Sequence, residues 1–279
     1  MRLQDQVILI TGGSRGVGAA IARAVAREGA HVALAGKTIE PHPKLAGTLG
    51  EVADEVRAMG REALVIQTDI RHPEQVEAMV EATVAHFGRI DALINNAGAI
   101  YWGNTTDFPV KRYDLVMDVN VRGAFLASQA VIPHMRERGG HIVMMSPPIN
   151  PKAAVGKAPY IVSKFGMTMV GMAIDEEEAA IAACALWPIT GIRTAATVNL
   201  GMGADSEWRK PEILADATVE LLVRDPATSR FKAWIDEEIL AEAGITDLEQ
   251  YSCVPGSTPS PMSIMLVDPD WVAASEPVR

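Results

Sequence analysis

The feature that most constrains the fold is an alternation of short apolar runs with amphipathic stretches of helical period. The apolar runs are rich in β-branched residues and typical of strands, at Val7–Ile10, His31–Ala35, Ala63–Thr68, Ala92–Asn95, His141–Met145 and Ala182–Trp187, with another near Phe231–Ile235. Stretches typical of helices lie between them, at Val17–Glu28, Glu51–Met59, Pro73–Phe87 and Val121–Arg138. Continuous apolar strands that alternate with helices are typical of a parallel sheet covered on both faces. The sequence therefore predicts an α/β fold, a doubly wound parallel sheet flanked by helices.

Length and composition favour a single domain. An α/β chain of 279 residues often remains undivided, and a hydrophobic content of 48% suffices for a sizeable core. We predict one domain over residues 1–250 and a C-terminal arm over residues 251–279. The arm starts with the irregular stretch "VPGSTPSP", and the apolar "MSIMLVDPDWV" that follows is expected to pack on the domain or on a neighbouring subunit.

Charge and the scarcity of metal ligands argue against several classes of protein. A net charge of −10 and a pI near 5.1 argue against nucleic acid or an anionic membrane as the partner. Cys184 and Cys253 are far apart, and the histidines show no ligand spacing, so we predict neither a disulfide framework nor a metal site. No apolar run reaches the ~18 residues that span a bilayer, and "MRLQDQVILI" at the start lacks a cleavage pattern. We therefore expect a cytoplasmic protein.

The stretch "TGGSRGVG", residues 11–18, follows the first predicted strand and opens the first predicted helix. Glycines here allow a tight turn and let backbone N–H groups approach a pyrophosphate at the helix N-terminus. Between a strand and an amphipathic helix, the cluster is typical of a Rossmann-type dinucleotide fold rather than of a plain turn. The predicted cofactor contacts of this loop are Gly12, Ser14, Arg15, Gly16, Val17 and Gly18.

The end of the second strand indicates which dinucleotide binds. In this fold, an acidic residue ~20 positions after the glycines accepts a hydrogen bond from the ribose 2′-OH of NAD. The string "AGKT" instead places Gly36 and Lys37 there, and Lys37 together with Arg15 suits the 2′-phosphate of NADP. Glu40 lies close by and keeps NAD(H) as the alternative. The sequence predicts NADP(H) as the preferred cofactor.

Tyr160 and Lys164 stand four apart in "YIVSK" and share one face if this stretch is helical. A tyrosine loses its proton near pH ~10, so it is a poor acid or base at neutral pH. A nearby ammonium favours the phenolate, and Lys164 is expected to lower the pKa of Tyr160 toward the working range. Taken alone, such a pair also occurs by chance in surface helices.

The joint pattern resembles the short-chain dehydrogenase/reductase family over about residues 5–245. It consists of the glycine loop, "NNAG" at 95–98, "NVRG" at 120–123, Ser146 at the end of a strand, and Tyr160-x-x-x-Lys164. The resemblance implies a catalytic tetrad of Asn120, Ser146, Tyr160 and Lys164, with Tyr160 as acid or base, Ser146 as donor to the carbonyl oxygen, and Asn120 holding a water that relays protons to Lys164. It also implies cofactor contacts at Asp69, Ile70, Asn96, Ala97, Gly98, Tyr160, Lys164, Ile192 and Thr194.

Longer strings narrow the resemblance to the hydroxysteroid dehydrogenase-like branch. They are "GKTIEPHPKLAGTL", "SPPIN" and "ALWPITGIRTAA", and bacterial proteins of similar sequence are described as citronellol or citronellal dehydrogenases. The animal members carry a further sterol-carrier domain, which we do not expect in this chain. The string "WPITGIRT" departs from the family, because Ile189 stands where many members have a glycine. That departure leaves the register of Ile192 and Thr194 open.

The resemblance implies an NADP(H)-dependent alcohol dehydrogenase or carbonyl reductase, with residues 1–250 as its dinucleotide-binding catalytic domain. The alternatives are an NAD-linked dehydrogenase of terpenoid or fatty alcohols, and a non-catalytic dinucleotide-binding sensor, which would not need Tyr160 and Lys164 together. We expect a small apolar alcohol or carbonyl substrate, under a lid over residues 195–212 with Leu200, Met202 and Trp208. The resemblance also implies a homodimer or homotetramer built on long helices at Pro109–Arg136 and Tyr160–Glu178.

Overall fold

A parallel sheet is the framework of the molecule, seen in a computed structural model that describes residues 1–41, 46–147 and 154–261. Within these residues the sheet has seven strands in the order β3-β2-β1-β4-β5-β6-β9. The strands are β1 Val7–Thr11, β2 His31–Gly36, β3 Ala63–Gln67, β4 Ala92–Asn95, β5 Gly140–Met145, β6 Ile181–Trp187 and β9 Ala233–Ile235, and a separate pair is formed by β7 Gly191–Ile192 and β8 Trp208–Arg209. The predicted doubly wound α/β fold is confirmed.

Helices cover both faces of this sheet. They are α1 Gly16–Arg27, α2 Leu49–Ala58, α3 Pro73–Phe87, α4 Val110–Met117, α5 Gly123–Met135, α6 Ala158–Glu177, α7 Ala195–Asn199, α8 Glu212–Leu222 and α9 Asp236–Glu242. One apolar core joins the sheet to α1, α2, α8 and α9, and a second joins the opposite face to α3, α5 and α6. β1, β4 and β5 are buried along their whole length, which explains their unbroken apolar sequence.

Local sequence explains where several helices begin and end. Thr48 and Glu51 form a capping box, in which the Thr48 hydroxyl accepts from the Glu51 N–H at 3.1 Å and a Glu51 carboxylate oxygen accepts from the Thr48 N–H at 2.8 Å. α2 therefore begins two residues before the predicted start at Glu51. α3 starts on Pro73 and ends at Gly88, whose φ of 75° is left-handed.

The long helix predicted at Pro109–Arg136 is continuous but not uniform. A π-helical turn at Asp118–Arg122 separates α4 from α5. Among the described residues, the stretch Val110–Met135 is the one that is long and apolar enough to cross a membrane. This is a weak indication, because core helices meet the same criteria, and the stretch packs on α3 and α6.

The strand order fixes the position of the site. The chain leaves β1 toward β2 and β3 on one side, whereas β4, β5, β6 and β9 lie on the other. The connections therefore diverge at the carboxyl ends of β1 and β4, where doubly wound sheets bind their ligands. Residues 251–261 return to this body: the Tyr251 hydroxyl donates to Asp216 at 2.7 Å and the Cys253 N–H donates to the Trp208 carbonyl at 3.1 Å. The rest of the predicted arm lies outside the described residues.

Candidate active site

The glycine loop lies at the carboxyl end of β1 and leads into the N-terminus of α1. Gly16 has a φ of +54°, and a Cβ on Gly18 would lie 2.5 Å from both the Gly12 carbonyl oxygen and Asn96 Nδ2. Only glycine fits such an approach without moving the backbone. The Thr11 hydroxyl accepts from the N–H groups of Asn96 and Ala97, each at 3.1 Å, and so ties the loop to the end of β4.

A cleft of about 1540 Å³ runs along the carboxyl edge of the sheet from this loop. It is lined by nearly all the predicted site residues, namely Gly12, Ser14, Arg15, Gly16, Val17, Lys37, Asp69, Ile70, Asn96, Ala97, Gly98, Ser146, Tyr160, Lys164, Ile192 and Thr194. Gly18 and Asn120 are not among the described residues that line it. A glycine-rich cradle, a helix N-terminus and cationic residues at one end of a long cleft fit a dinucleotide.

The cleft ends in a charged region near β2 and β3. Lys37 follows β2 at the cleft wall, and Arg15 donates from Nη2 to the Gly47 carbonyl at 2.8 Å. Asp69, the predicted adenine contact, is bound by Arg71, whose Nε lies 2.9 Å from Oδ1 and whose Nη2 lies 2.5 Å from Oδ2. This pairing lowers the pKa of Asp69 to about 2. Arg71 therefore competes with the adenine for the carboxylate oxygens of Asp69. The sequence prediction missed this ion pair between Arg71 and Asp69.

Tyr160 and Lys164 share one face of α6, as predicted, and Lys164 Nζ lies 5.9 Å from the centroid of the Tyr160 ring. Nζ donates to the Met145 carbonyl at the end of β5, at 2.7 Å. The expected lowering of the tyrosine pKa is not found, because burial raises the pKa of Tyr160 above its ordinary value. Burial also lowers the pKa of Lys164 to about 8, which weakens the cation that was expected to favour the phenolate.

Ser146 directly follows β5 and is 2% exposed. Its Oγ lies 3.0 Å from the Thr168 hydroxyl and accepts from the Trp187 indole N–H at 3.2 Å. Thr168 follows Lys164 by one helical turn on α6, and Trp187 ends the neighbouring strand β6. The sequence prediction missed both residues, although the spacing of Tyr160, Lys164 and Thr168 at every fourth position was a signal.

Asn120 lies in the π-helical turn and is fully buried. Its Oδ1 accepts from the Ala99 N–H at 2.7 Å, and its Nδ2 donates to the Ala99 carbonyl at 3.0 Å and to the Ser163 hydroxyl at 2.8 Å. The side chain therefore fastens the loop after β4 to α6. A Cβ on Gly98 would lie 3.7 Å from Asn120 Oδ1 and 3.8 Å from Lys164 Nζ, which places this loop between the two groups. A water-holding role for Asn120 stays a prediction.

The segment after β6 also lines the cleft. The Ile189 N–H donates to Asp236 Oδ1 at 3.0 Å, so a carboxylate at the start of α9 anchors the residue that replaces the usual glycine. Ile192 is buried at the wall, and the Thr194 side chain caps α7. The methyl group of Thr194 would lie 3.5 Å from a Cβ on Gly16, so Thr194 lies beside the glycine loop. From the expected lid, Met202 and Trp208 line the cleft, and Leu200 is not among the described residues that line it.

Trp102 and Lys157 border Tyr160. The Trp102 ring stands edge-on to the Tyr160 ring, with centroids 5.3 Å apart and an angle of 84° between the planes. Lys157 Nζ lies 5.2 Å from the Trp102 centroid, and the Gly103 N–H donates to the Gly156 carbonyl at 2.9 Å. The loop after β4 thus packs against the start of α6 and gives Tyr160 an aromatic neighbour that sequence reasoning did not identify.

Known proteins are similar to this chain in sequence and fold. The sequence profile of the family described as short chain dehydrogenase matches residues 6–200. Human hydroxysteroid dehydrogenase-like protein 2 is 44% identical over 260 residues, which are 91% of this chain and 62% of that protein. The chain thus spans less than two thirds of the length of this relative.

Solved structures match nearly the whole chain. A short chain dehydrogenase from Mycobacterium thermoresistibile has 44% identity and a TM-score of 0.87, covering 95% of this chain and 96% of that one. A candidate dehydrogenase from Xanthomonas campestris has 40% identity and a TM-score of 0.90, covering 96% and 100%.

More distant structures hold nicotinamide dinucleotides. A blue fluorescent protein from a metagenomic library, 27% identical with a TM-score of 0.70 over 82% of this chain and 95% of that one, is in complex with NADPH. Carveol dehydrogenase from Mycobacterium avium, in complex with NAD, has a TM-score of 0.73 over 82% of this chain and 95% of that one; at 24% identity it shows likeness of fold alone. From the family profile and the close relatives, the chain belongs to the short-chain dehydrogenase family, in its hydroxysteroid dehydrogenase-like branch.

Proposed function

We propose that the protein is an NADP(H)-dependent oxidoreductase that interconverts an alcohol and its ketone or aldehyde. The observation that carries this proposal is the meeting of Ser146, Tyr160 and Lys164 at the cleft that begins at the glycine loop. A hydroxyl donor, a phenol and an ammonium at one cleft wall suit the reduction of a carbonyl group, in which the oxygen gains negative charge and then a proton.

Different residues of the cleft would bind different parts of the dinucleotide. The glycine loop and the N-terminus of α1 would hold its pyrophosphate, Lys37 and Arg15 the 2′-phosphate, and Ile192 and Thr194 the nicotinamide end. The nicotinamide supplies the hydride donor and acceptor, chemistry that no side chain in the cleft provides.

The side chains supply the proton and the stabilisation of charge. Ser146 donates a hydrogen bond to the carbonyl oxygen, and Tyr160 gives that oxygen its proton during reduction and takes it back during oxidation. The ammonium of Lys164 favours the phenolate of Tyr160 as the proton leaves. Because burial raises the pKa of Tyr160, this help from a cation is needed for the acid to work near neutral pH.

Replacing Tyr160 with phenylalanine tests the proposal. Tyr160→Phe is expected to abolish turnover and to leave cofactor affinity nearly unchanged, because only the ionisable hydroxyl is lost. The assay is a screen of aliphatic, isoprenoid and steroid alcohols and carbonyls with NADP(H) and NAD(H), together with cofactor titration. Tyr113→Phe, which removes a hydroxyl from an exposed tyrosine of α4, is the matched control. Activity of Tyr160→Phe within about tenfold of wild type, a loss of only ~1.4 kcal/mol, contradicts the assignment.

Lys37 tests the cofactor preference. A phosphate beside Lys37 gains a charge-assisted hydrogen bond worth about 1.5–3 kcal/mol, so loss of the lysine should weaken NADP(H) binding by roughly ten- to a hundredfold. Lys37→Asp should in addition repel the phosphate and accept from a 2′-OH, which turns kcat/KM toward NAD(H). A wild type that prefers NAD(H), or an unmoved ratio in Lys37→Asp, contradicts this preference.

The described lining supports an apolar substrate of medium size. Ile100, Leu115 and Val119 line the cleft from the loop after β4 and the helix that follows, and Met202 lines it from the lid segment. An NAD-linked oxidation of terpenoid or fatty alcohols would appear in the same screen as turnover that depends on NAD. Binding of NADP(H) without turnover of any substrate would instead indicate a dinucleotide sensor.

We also propose that the protein assembles as a homodimer or homotetramer in the cytoplasm. Apolar side chains are exposed along the long helices, at Val110, Tyr113 and Phe125 on α4 and α5 and at Val162 and Met169 on α6. Exposed apolar faces of this kind are typical of protein interfaces. The acidic composition and two free cysteines suit the cytoplasm.

A further inference from the structure

Ser146 has two buried polar neighbours besides the cleft. Trp187 and Thr168 are each 0% exposed, and both lie within hydrogen-bond distance of Ser146 Oγ. They reach it from different elements, Trp187 from the end of β6 and Thr168 from α6. The Ser146 hydroxyl, which lines the cleft, is therefore also the meeting point of a buried hydrogen-bond network.

The direction of these bonds follows from the chemistry of the groups. A serine hydroxyl has one proton to donate and two lone pairs that accept, whereas an indole N–H can only donate. Trp187 therefore occupies one lone pair of Ser146. If Thr168 donates to the second lone pair, Ser146 has no acceptor site left, and its one remaining bond is the donation of its own proton.

Thr168 has two acceptors within reach. Its hydroxyl lies 3.0 Å from Ser146 Oγ and 3.3 Å from the carbonyl of Lys164. That carbonyl is inside α6, where the backbone N–H four residues later already satisfies it. Donation to Ser146 is thus the shorter contact, and it leaves no buried carbonyl without a partner.

We propose that Thr168 and Trp187 are positioning residues that fill both lone pairs of Ser146 and so direct its proton to the substrate oxygen. This inference rests on the proposed function, because it assigns a purpose to the donor property of Ser146. Without Thr168, the serine keeps a free lone pair and can rotate its proton away from the cleft. The hydroxyl is then present but donates to the substrate oxygen only part of the time.

A double-mutant cycle tests the inference. Thr168→Val removes the hydroxyl and keeps the shape, and it should lower kcat by about tenfold, ~1.4 kcal/mol of barrier, with little change in KM. In the Ser146→Ala background the same substitution should change kcat by less than about twofold, because there is no serine left to orient. Single-turnover rates keep the slow Ser146→Ala variants measurable.

Two further variants separate orientation from packing. Thr168→Ser, which retains the hydroxyl and loses a methyl group, should restore kcat to near wild type. Thr83→Val is the matched control: Thr83 is a fully buried helical threonine of α3 whose hydroxyl donates to the carbonyl four residues earlier, and it is not among the described residues that line the cleft. If Thr168→Val does not fold, Trp187→Phe, which removes the other donor, is measured in the same cycle.

The outcomes distinguish this inference from the proposed function. Unchanged kcat in Thr168→Val, or an equal loss in both backgrounds, overturns the inference while wild-type turnover and an inactive Tyr160→Phe keep the function. Absence of turnover by wild type on every substrate overturns the function and, with it, the inference. A loss of kcat on Thr168→Val that occurs only when Ser146 is present, with recovery in Thr168→Ser, supports the inference.

Discussion

Replacing Asp236 with asparagine is expected to stabilise the fold, and increasingly so as the pH rises. Asp236 is fully buried at the start of α9. Its Oδ1 accepts from the N–H groups of Ile189 at 3.0 Å and Glu237 at 2.9 Å, whereas Oδ2 finds no hydrogen-bond partner among the described residues. The nearby charges oppose each other, because the Glu237 carboxylate disfavours the charge on Asp236 and the Arg209 guanidinium favours it. The largest effect on the pKa of Asp236 is the burial of this carboxylate, which raises it.

The magnitude follows from the shift in pKa. Burial raises the pKa of Asp236 to about 7, from an ordinary value of 3.8. A rise of about three pH units corresponds to about 4 kcal/mol, at ~1.36 kcal/mol per unit. Because the folded protein binds this proton more tightly than the unfolded chain, the contribution of Asp236 to stability falls as the pH rises between the two pKa values and is lowest above about pH 8. Paired carboxylates such as Asp69, whose pKa is lowered, act in the opposite direction.

The assay compares Asp236→Asn with wild type by urea unfolding from about pH 5 to pH 8. Asparagine keeps the acceptor for the two N–H groups and cannot ionise. The difference in unfolding free energy should therefore grow by about 3 kcal/mol across this range, the part of the total that lies above about pH 5. Asp54→Asn, at a side chain that is 77% exposed, is the control and should follow the pH dependence of wild type. A constant difference between Asp236→Asn and wild type would refute the reasoning.

Three shorter predictions concern binding, chemistry and assembly. Lys164→Met should lower kcat and also weaken cofactor binding, and a variant with normal affinity and a normal pH–rate profile would remove Lys164 from the mechanism. Gly18→Ala should weaken cofactor binding with little loss of secondary structure by circular dichroism, because the added Cβ meets the Gly12 carbonyl and the Asn96 amide; unchanged affinity speaks against the tight loop. Phe125→Asp should shift light scattering of micromolar protein toward monomer, and an unaltered oligomer, or a monomeric wild type, contradicts assembly through α5.

Strand and helix positions followed from the sequence because apolar periodicity is a local property. β4 was predicted at its observed bounds, and β1, β2 and β3 differ from their predictions by one residue at one end. The wide turn at Asp118–Arg122 was not predicted, since the sequence "DVNVR" has ordinary helical spacing. In this turn, the Asn120 side chain makes hydrogen bonds with Ala99 and Ser163, which lie far away in sequence. The π-helical form of this turn therefore depends on tertiary contacts, which local spacing does not predict.

In the candidate site, too, sequence spacing predicts positions but not tertiary contacts. Motif spacing predicted which residues would meet at the cleft, and all but Gly18 and Asn120 line it. It did not predict the partners that tune them, such as Arg71 at Asp69 and Asp236 at Ile189. The direction of the Tyr160 pKa was wrong for a related reason: spacing along a helix shows that two groups are near each other, but not how much solvent both have lost.

Burial of polar groups at the carboxyl edge of the sheet has a cost that the rest of the fold must offset. Asp236 has one carboxylate oxygen with no hydrogen-bond partner among the described residues. Lys164 is 7% exposed, and its ammonium donates to the Met145 carbonyl and contacts the Met167 sulfur rather than a carboxylate in the described part of the chain. Each lowers stability relative to an apolar side chain of similar size. The two apolar cores on either side of the sheet supply the opposing free energy. Asp236→Asn keeps the acceptor for the Ile189 N–H, so it should remove this cost and leave the wall that carries Ile189 in place. A gain in stability that is accompanied by weaker cofactor binding would instead show that the charge of Asp236 also positions the cleft.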